Sequence, residues 1–61
     1  MKVMVVDDNA IVRIGLRSVL NRIDVVDEVI EAEDAFSALE AHHTHSPDII
    51  LLDVSMPPGR S

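Results

Sequence analysis

The stretch IILLD, residues 49–53, decides the fold, because four apolar residues run directly into a carboxylate. The stretch VMVVDD, residues 3–8, has the same form. Short apolar runs without polar interruption are typical of strands that are buried on both faces of a parallel sheet. The carboxyl ends of such strands meet at one edge of the sheet. We therefore predict two buried strands whose terminal acids, Asp7, Asp8 and Asp53, lie together.

Length and composition restrict the chain to one small domain. Of its 61 residues, 48% are hydrophobic, so a core can form and disorder is not expected. The sequence has no cysteine, which excludes disulfides and thiolate metal sites. A net charge of −6 and a single aromatic residue, Phe36, disfavour direct contact with nucleic acid. No signal-peptide pattern and no apolar run near the ~20 residues of a membrane span occur, which predicts a soluble, cytoplasmic protein.

A helix is predicted between the first strand and the middle of the chain. Apolar residues recur at three- and four-residue steps over about residues 10–22, which indicates one amphipathic face. Arg13, Arg17 and Arg22 lie off this apolar stripe, so we expect them to face solvent. The stripe consists of Val12, Leu16, Val19, Leu20 and Ile23.

A second strand and a second helix follow. Residues 25–32 are apolar with interspersed acids, which suits an edge strand that faces water. Residues from about 33 to 44 predict a helix, and Pro47 prevents its continuation. Three histidines near its end are interpreted as a solvated helix terminus rather than a Zn²⁺ or Ni²⁺ site: His42, His43 and His45. The side chains expected to be buried are Ala35, Ala38 and Leu39.

The element order is therefore β-α-β-α-β. Strands separated by helices imply right-handed crossovers and a parallel sheet. The first and third strands are the most apolar, so we expect them to be neighbours at the centre. The second strand then lies outside the first, which gives the spatial order 2-1-3.

The three acids at the strand ends have two interpretations. Carboxylates that are forced together repel, so at least one holds a proton unless a cation neutralises them. Oxygen ligands favour a hard cation, and Mg²⁺ suits one or two carboxylates plus water. The alternative is structural: Asp8 or Asn9 caps the following helix, and the acids stabilise its positive end. The presence of Asp53 at the end of another buried strand favours the cation site.

Three stretches resemble the receiver domain of two-component response regulators: VMVVDDN (3–9), EVIEAEDAFSALE (28–40) and PDIILLDVSMP (47–57). The stretch VRIGLRSVL (12–20) further resembles receivers that precede a LuxR/NarL-type helix-turn-helix domain. The resemblance covers residues 1–61 as the N-terminal half of a receiver. It implies an α/β fold, the βαβαβ half of a flavodoxin-like doubly wound sheet.

The resemblance also implies roles for individual residues. Asp53 resembles the aspartate that accepts a phosphoryl group from a histidine kinase, which in this family docks on the first helix. Asp8 resembles the direct Mg²⁺ ligand, and Asp7 its partner, which acts directly or through water. Ser55 is expected to offer its backbone carbonyl to the same cation, before the turn formed by Met56 and Pro57.

The sequence departs from the family in its length, because a complete receiver has further strands and helices. The residues that would follow include a Thr or Ser, a Lys and a switch aromatic. We therefore expect a truncated receiver whose phosphate switch is impaired. The open edge of the third strand predicts self-association, most simply as an antiparallel two-fold dimer joined at that strand. Strand exchange is the competing geometry.

Two functions stay open on these grounds. The first is a phosphoacceptor signalling module with Mg²⁺ at Asp7, Asp8 and Asp53. The second is a self-associating structural or interaction module without signalling activity. An enzyme is not expected, because no nucleophile–base pair and no histidine lies near the acids.

Overall fold

The structure is a computed structural model that describes residues 1–53, and strands alternate with helices along this range. The predicted element order is confirmed. The five elements are β1 (Lys2–Val6), α1 (Ala10–Leu20), β2 (Glu28–Ala32), α2 (Ala35–His45) and β3 (Ile49–Leu52).

The three strands form one parallel sheet in the order β2-β1-β3, which confirms the predicted topology. Strand β1 is central and pairs with both neighbours. The register places Val6 opposite Ala32 of β2 and opposite Leu52 of β3, so all three strands end level. The chain segments that follow them therefore leave the sheet at the same edge.

The core is built on β1, whose residues from Val3 to Val6 are all buried. Met4 and Val6 face α2, because they cluster with Ile30 and Ala32 of β2 and with alanines of that helix. Side chains alternate along a strand, so Val3 and Val5 point to the opposite face. Helix α1 packs against β1 and β2 and covers that opposite face. The helices thus lie on the two sides of the sheet.

The connection between α1 and β2 is longer than the sequence pattern predicts. Arg22 and Ile23 each donate to the carbonyl three residues back, at 3.1 and 3.0 Å, so α1 ends in a tight turn. The Val26 N–H donates back to Ile23 at 3.0 Å. The Asp27 N–H donates to the Met1 carbonyl at 2.9 Å, and its carboxylate pairs with the N-terminal ammonium. The turn bonds of Arg22, Ile23 and Val26 precede β2, which begins at Glu28.

Both ends of α2 have local causes. Asp34 is the N-cap and forms a capping box with Ser37, in which each side chain bonds to the other residue's backbone. At the other end Ser46 adopts a left-handed conformation with φ of 49°, and its N–H donates to His42 at 3.0 Å. Pro47 follows, as predicted. The helix runs to His45, one to two residues beyond the predicted end.

Several side chains that the sequence predicts to be buried are exposed within residues 1–53. Leu39 is 64% exposed, because α2 places Ala38 and Ala41 against the core instead. The four apolar residues of β3 are between 38% and 61% exposed, although the IILL pattern predicts burial on both faces. The reason is that β3 is an edge strand while the helices pack mainly over β1 and β2.

Within residues 1–53, neither helix has the length and apolarity that crossing a bilayer would require.

The central position of Met4 generates a stability prediction. Met4 is 1% exposed, so we expect Met4→Ala to lower the free energy of unfolding by about 3 kcal/mol through lost burial and a residual cavity. The matched change Ile11→Ala removes an 80% exposed side chain and should alter it by no more than about 0.5 kcal/mol. Urea unfolding followed by circular dichroism measures both. Equal losses would contradict the assigned core.

The capping box generates a pH prediction. Hydrogen bonds from the Ser37 backbone N–H and side chain, both 2.8 Å long, hold the pKa of Asp34 below its ordinary value of 3.8. Because folding lowers this pKa, ionised Asp34 stabilises the folded state. This stabilisation is complete at pH values above the ordinary pKa, and it is lost as the pH falls through the lowered pKa of the folded state.

The variant Asp34→Asn is the matched control, since asparagine caps a helix but does not titrate. The stability advantage of the parent over Asp34→Asn should shrink between about pH 6 and about pH 3, measured by urea unfolding. Parallel pH profiles for the two proteins would show that Asp34 contributes nothing through its charge.

Candidate functional site

Three carboxylates meet at the carboxyl edge of the sheet. Asp7 follows β1 and its N–H donates to the Ala32 carbonyl at 3.0 Å, while the Asp53 N–H after β3 donates to the Val6 carbonyl at 3.1 Å. These bonds extend the strand pairing by one residue on each side of β1. One carboxylate oxygen from each of Asp7, Asp8 and Asp53 lies within 4.8 Å of the others. The structure thus brings together the three acids that the sequence singled out.

The three acids differ in their surroundings. Asp7 is buried, with 5% of its surface exposed, whereas Asp53 is half-buried and Asp8 is exposed. A buried carboxylate needs hydrogen bonds to offset its lost hydration. Asp7 has such a partner, because its Oδ1 accepts from the Asn9 N–H at 2.9 Å. Asp7 is therefore held in place at the floor of the site, and Asp8 forms its solvent side.

Helix α1 begins directly after the acids because Asn9 caps it. The Asn9 Oδ1 accepts from the N–H groups of Ile11 at 2.9 Å and Val12 at 3.4 Å. The sequence left open whether Asp8 or Asn9 fills this position, and the structure assigns it to Asn9. The cap leaves the Asp8 carboxylate to the acidic cluster. It also places the positive end of the helix beside that cluster.

Arg13 is the residue of this region that sequence reasoning missed. The prediction that it faces solvent is wrong: its side chain is 15% exposed. Its Nη1 donates to the main-chain carbonyl of Asp7 at 2.6 Å, and its Nε donates to the Glu31 carboxylate at 3.2 Å. Arg17 donates to the other oxygen of Glu31 at 3.0 Å. The available signal was the four-residue spacing of the two arginines, which places both on one face of α1.

The donor set of the acidic cluster fits Mg²⁺. All its side-chain donors are carboxylate oxygens, which hard divalent cations prefer. Two oxygens on one Mg²⁺ lie at most about 4.2 Å apart, given bond lengths near 2.1 Å. The three carboxylate oxygens lie within 4.8 Å of one another, which is close to this spacing. Ser55, the other predicted ligand, lies outside the described residues.

The three histidines do not form a comparable cluster. Over residues 1–53, the acids are the group of three or more metal-ligating side chains that the structure brings together. His45 instead lies 3.7 Å from the Glu28 carboxylate, and its carbonyl accepts from the Lys2 ammonium at 3.1 Å. These contacts lie at the amino ends of the strands, whereas the acids lie at the carboxyl ends. They agree with the interpretation of the histidines as a helix terminus.

Comparison with known proteins identifies the family of the chain. The chain is 41% identical over its full length to the oxygen regulatory protein NreC of Staphylococcus carnosus (strain TM300) and 39% identical to NreC of Staphylococcus aureus (strain JH9). In both cases it spans 28% of the relative's length.

A solved structure is also similar, RcsB from Salmonella enterica serovar Typhimurium bound to promoter rprA in the presence of the phosphomimetic BeF3−. The TM-score is 0.83 at 32% identity, over 98% of this chain and 30% of that one. Residues 3–60 match the family model described as the response regulator receiver domain. Because that match covers almost the whole chain, this protein belongs to the response regulator receiver domain family.

Proposed function

We propose that this chain is the phosphoacceptor part of a two-component response regulator, in which Asp53 receives a phosphoryl group beside a bound Mg²⁺. One observation carries the proposal: carboxylates from the ends of two parallel strands lie within 4.8 Å of one another at one edge of the sheet. Family membership supports the assignment of this edge as the signalling site.

The proposed Mg²⁺ site uses Asp8 as a direct ligand, Asp7 as its partner directly or through water, and Asp53. The main-chain carbonyl of Ser55 is a further proposed ligand. When bound, Mg²⁺ neutralises the clustered carboxylates and attracts the oxygens of a phosphoryl group. The contribution of the chain is to hold the ligands: the Asn9 N–H fixes Asp7, and the pairing of β1 with β3 fixes the backbone of Asp53.

Asp53 is the proposed nucleophile. One carboxylate oxygen attacks the phosphorus of a phosphohistidine, a new C–O–P linkage forms and the P–N bond breaks. The imidazole leaves with the bonding electron pair and takes up a proton from solvent. The product is an acyl phosphate on Asp53. The chemistry demands positioning and charge neutralisation more than a further catalytic group, which agrees with a signalling module rather than an enzyme.

The proposed partner is a histidine kinase that docks on α1. Ile11 is 80% exposed and Ile14 is 62% exposed, and their three-residue spacing places them on one side of the helix. Such an apolar surface next to the acidic edge suits a docking helix, because the phosphodonor must approach Asp53.

The chain has a net charge of −6, which repels phosphates. We therefore expect no direct contact of this chain with nucleic acid. The impaired phosphate switch stays a prediction.

Phosphorylation of Asp53 is tested by the intact mass of the folded protein after incubation with Mg²⁺ and a small acyl phosphate donor. We expect a gain of one phosphoryl group that requires Mg²⁺ and is absent from Asp53→Asn. Asp8→Asn should slow the reaction at least about tenfold at equal Mg²⁺, because a ligand is lost.

The matched control is Asp24→Asn, which removes the same charge from an exposed position outside the cluster. It should leave the rate unchanged. An adduct that survives in Asp53→Asn, or equal rates for Asp8→Asn and Asp24→Asn, would contradict the proposed site. So would a folded parent protein that gains no phosphoryl group.

A second candidate function is self-association through β3, which the exposure of that strand favours. It lies at an edge of the sheet, and its residues Ile49–Leu52 are apolar and exposed. An apolar edge strand is a template for pairing with another chain. We propose an antiparallel pairing of two copies across a two-fold axis normal to the sheet. This function requires no phosphoryl transfer.

Sedimentation tests the self-association. The parent and the control Val19→Lys should form a dimer in the micromolar range, whereas Ile50→Lys should stay monomeric, because a charge in β3 opposes strand pairing. Val19 is a suitable control because it is exposed on α1, away from β3. A compact, folded parent monomer at high micromolar concentration would exclude this function.

A further inference from the structure

We infer that Arg13 is a positioning residue for the acidic site, an inference that rests on the proposed binding of Mg²⁺ there. Its guanidinium joins two elements: Nη1 donates to the Asp7 carbonyl at 2.6 Å, and Nε donates to Glu31 of β2 at 3.2 Å. The side chain is 15% exposed, so solvent competes little for these bonds. Arg13 therefore ties the loop that carries two of the acids to the second strand.

The bonded carbonyl belongs to the peptide unit that joins Asp7 to Asp8. That unit is planar, so fixing the direction of its C=O also fixes the position of the Asp8 N–H and Cα. Asp8 is exposed and is restrained little by packing. The Asp8 carboxylate keeps a constant direction towards the other two acids only if the Asp8 backbone is held in place. Arg13 supplies this restraint on one side of the loop, and the Asn9 N–H supplies it on the other.

The contact with Glu31 explains how the positively charged Arg13 guanidinium can lie beside a proposed Mg²⁺ site. An unpaired guanidinium next to the acids would repel Mg²⁺, since like charges that are partly buried interact strongly. Glu31, whose carboxylate Arg13 shares with Arg17, offsets part of that charge and leaves the Nη1 bond to the loop intact. The carboxylate of Glu31 is 24% exposed and is therefore partly shielded from screening by water. Arg13 thus positions the loop while Glu31 reduces its repulsion of a cation.

Arg17 provides a matched control for this role. It lies one turn further along α1, carries the same charge and donates to the same carboxylate at 3.0 Å. Its bond goes to Glu31, whereas the bond to the Asp7 carbonyl comes from Arg13. Removing either arginine deletes one positive charge and one bond to Glu31. Only the Arg13 change also releases the loop.

The experiment is a titration of the folded protein with MgCl2, followed by the backbone amide resonances in nitrogen–proton correlation spectra. We expect Arg13→Gln to raise the Kd for Mg²⁺ about tenfold, as the loss of outer contacts does at other metal sites. Arg17→Gln should stay within about twofold of the parent, since its lost charge can only favour the cation. In metal-free protein, the Asp8 amide resonance should shift in Arg13→Gln and not in Arg17→Gln.

A second pair of variants covers the case in which Arg13→Gln does not fold. Arg13→Lys keeps the charge, but its single ammonium cannot span both partners, so its Kd should lie between those of the parent and Arg13→Gln. Arg17→Lys should match the parent.

Equal Kd values for the parent and the Arg13 variants, or an equal weakening by the Arg17 variants, would overturn the positioning role. A folded parent without any Mg²⁺-dependent shift would instead overturn the proposed function, and the metal-free Asp8 resonance would still decide the role of Arg13.

Discussion

The parallel pairing of β1 with a strand on each side is the constraint on which the rest of the structure depends. The pairing buries β1 at the centre of the sheet, where each fully buried Val or Met side chain contributes about 1.5–3 kcal/mol. It also brings the ends of all three strands level at Val6, Ala32 and Leu52. A shift of β3 by one residue would move Asp53 by about 3.3 Å and turn its side chain to the other face. The geometry of the acidic site is therefore set by the same register that buries the core.

The acidic site lowers the stability of the fold that forms it. Carboxylates held close together repel, and Asp7 in addition loses hydration because it is buried. The chain offsets part of this cost with the Asn9 N–H, the positive end of α1 and the neighbouring guanidinium of Arg13. A cation that binds the folded state and not the unfolded chain stabilises the fold by mass action. The proposed Mg²⁺ is thus linked to stability as well as to phosphoryl transfer.

Two of the exposed apolar surfaces, one on α1 and one on β3, suit different partners. Ile11 and Ile14 lie on α1, where an apolar helix surface suits the packing of a partner helix. On β3, exposed side chains coincide with an open hydrogen-bonding edge, which suits a partner strand. The proposed kinase contact and the proposed pairing of copies therefore use separate surfaces and can be separated by substitution. The chain spans 28% of the length of the NreC proteins that it matches.

The sequence by itself determined the presence and order of the strands, the end of α2 before Pro47 and the meeting of the three acids. Each of these features depends on a short apolar run, on a residue with a fixed local preference, or on the rule that parallel strands end at one edge. Three stretches of the sequence also carried the family resemblance, which the family match over residues 3–60 confirms.

Only the tertiary structure decided which side chains of each helix meet the sheet. Successive helix residues are rotated by about 100°, so a small rotation of α1 brings Arg13 from the predicted solvent face to the sheet. In α2, Ala38 and Ala41 rather than Leu39 contact the core. The bond from Arg13 to Glu31 joins residues 18 positions apart, which no local pattern encodes. Long-range packing sets these rotations, because they depend on the shape of the sheet surface and not on periodicity along the chain.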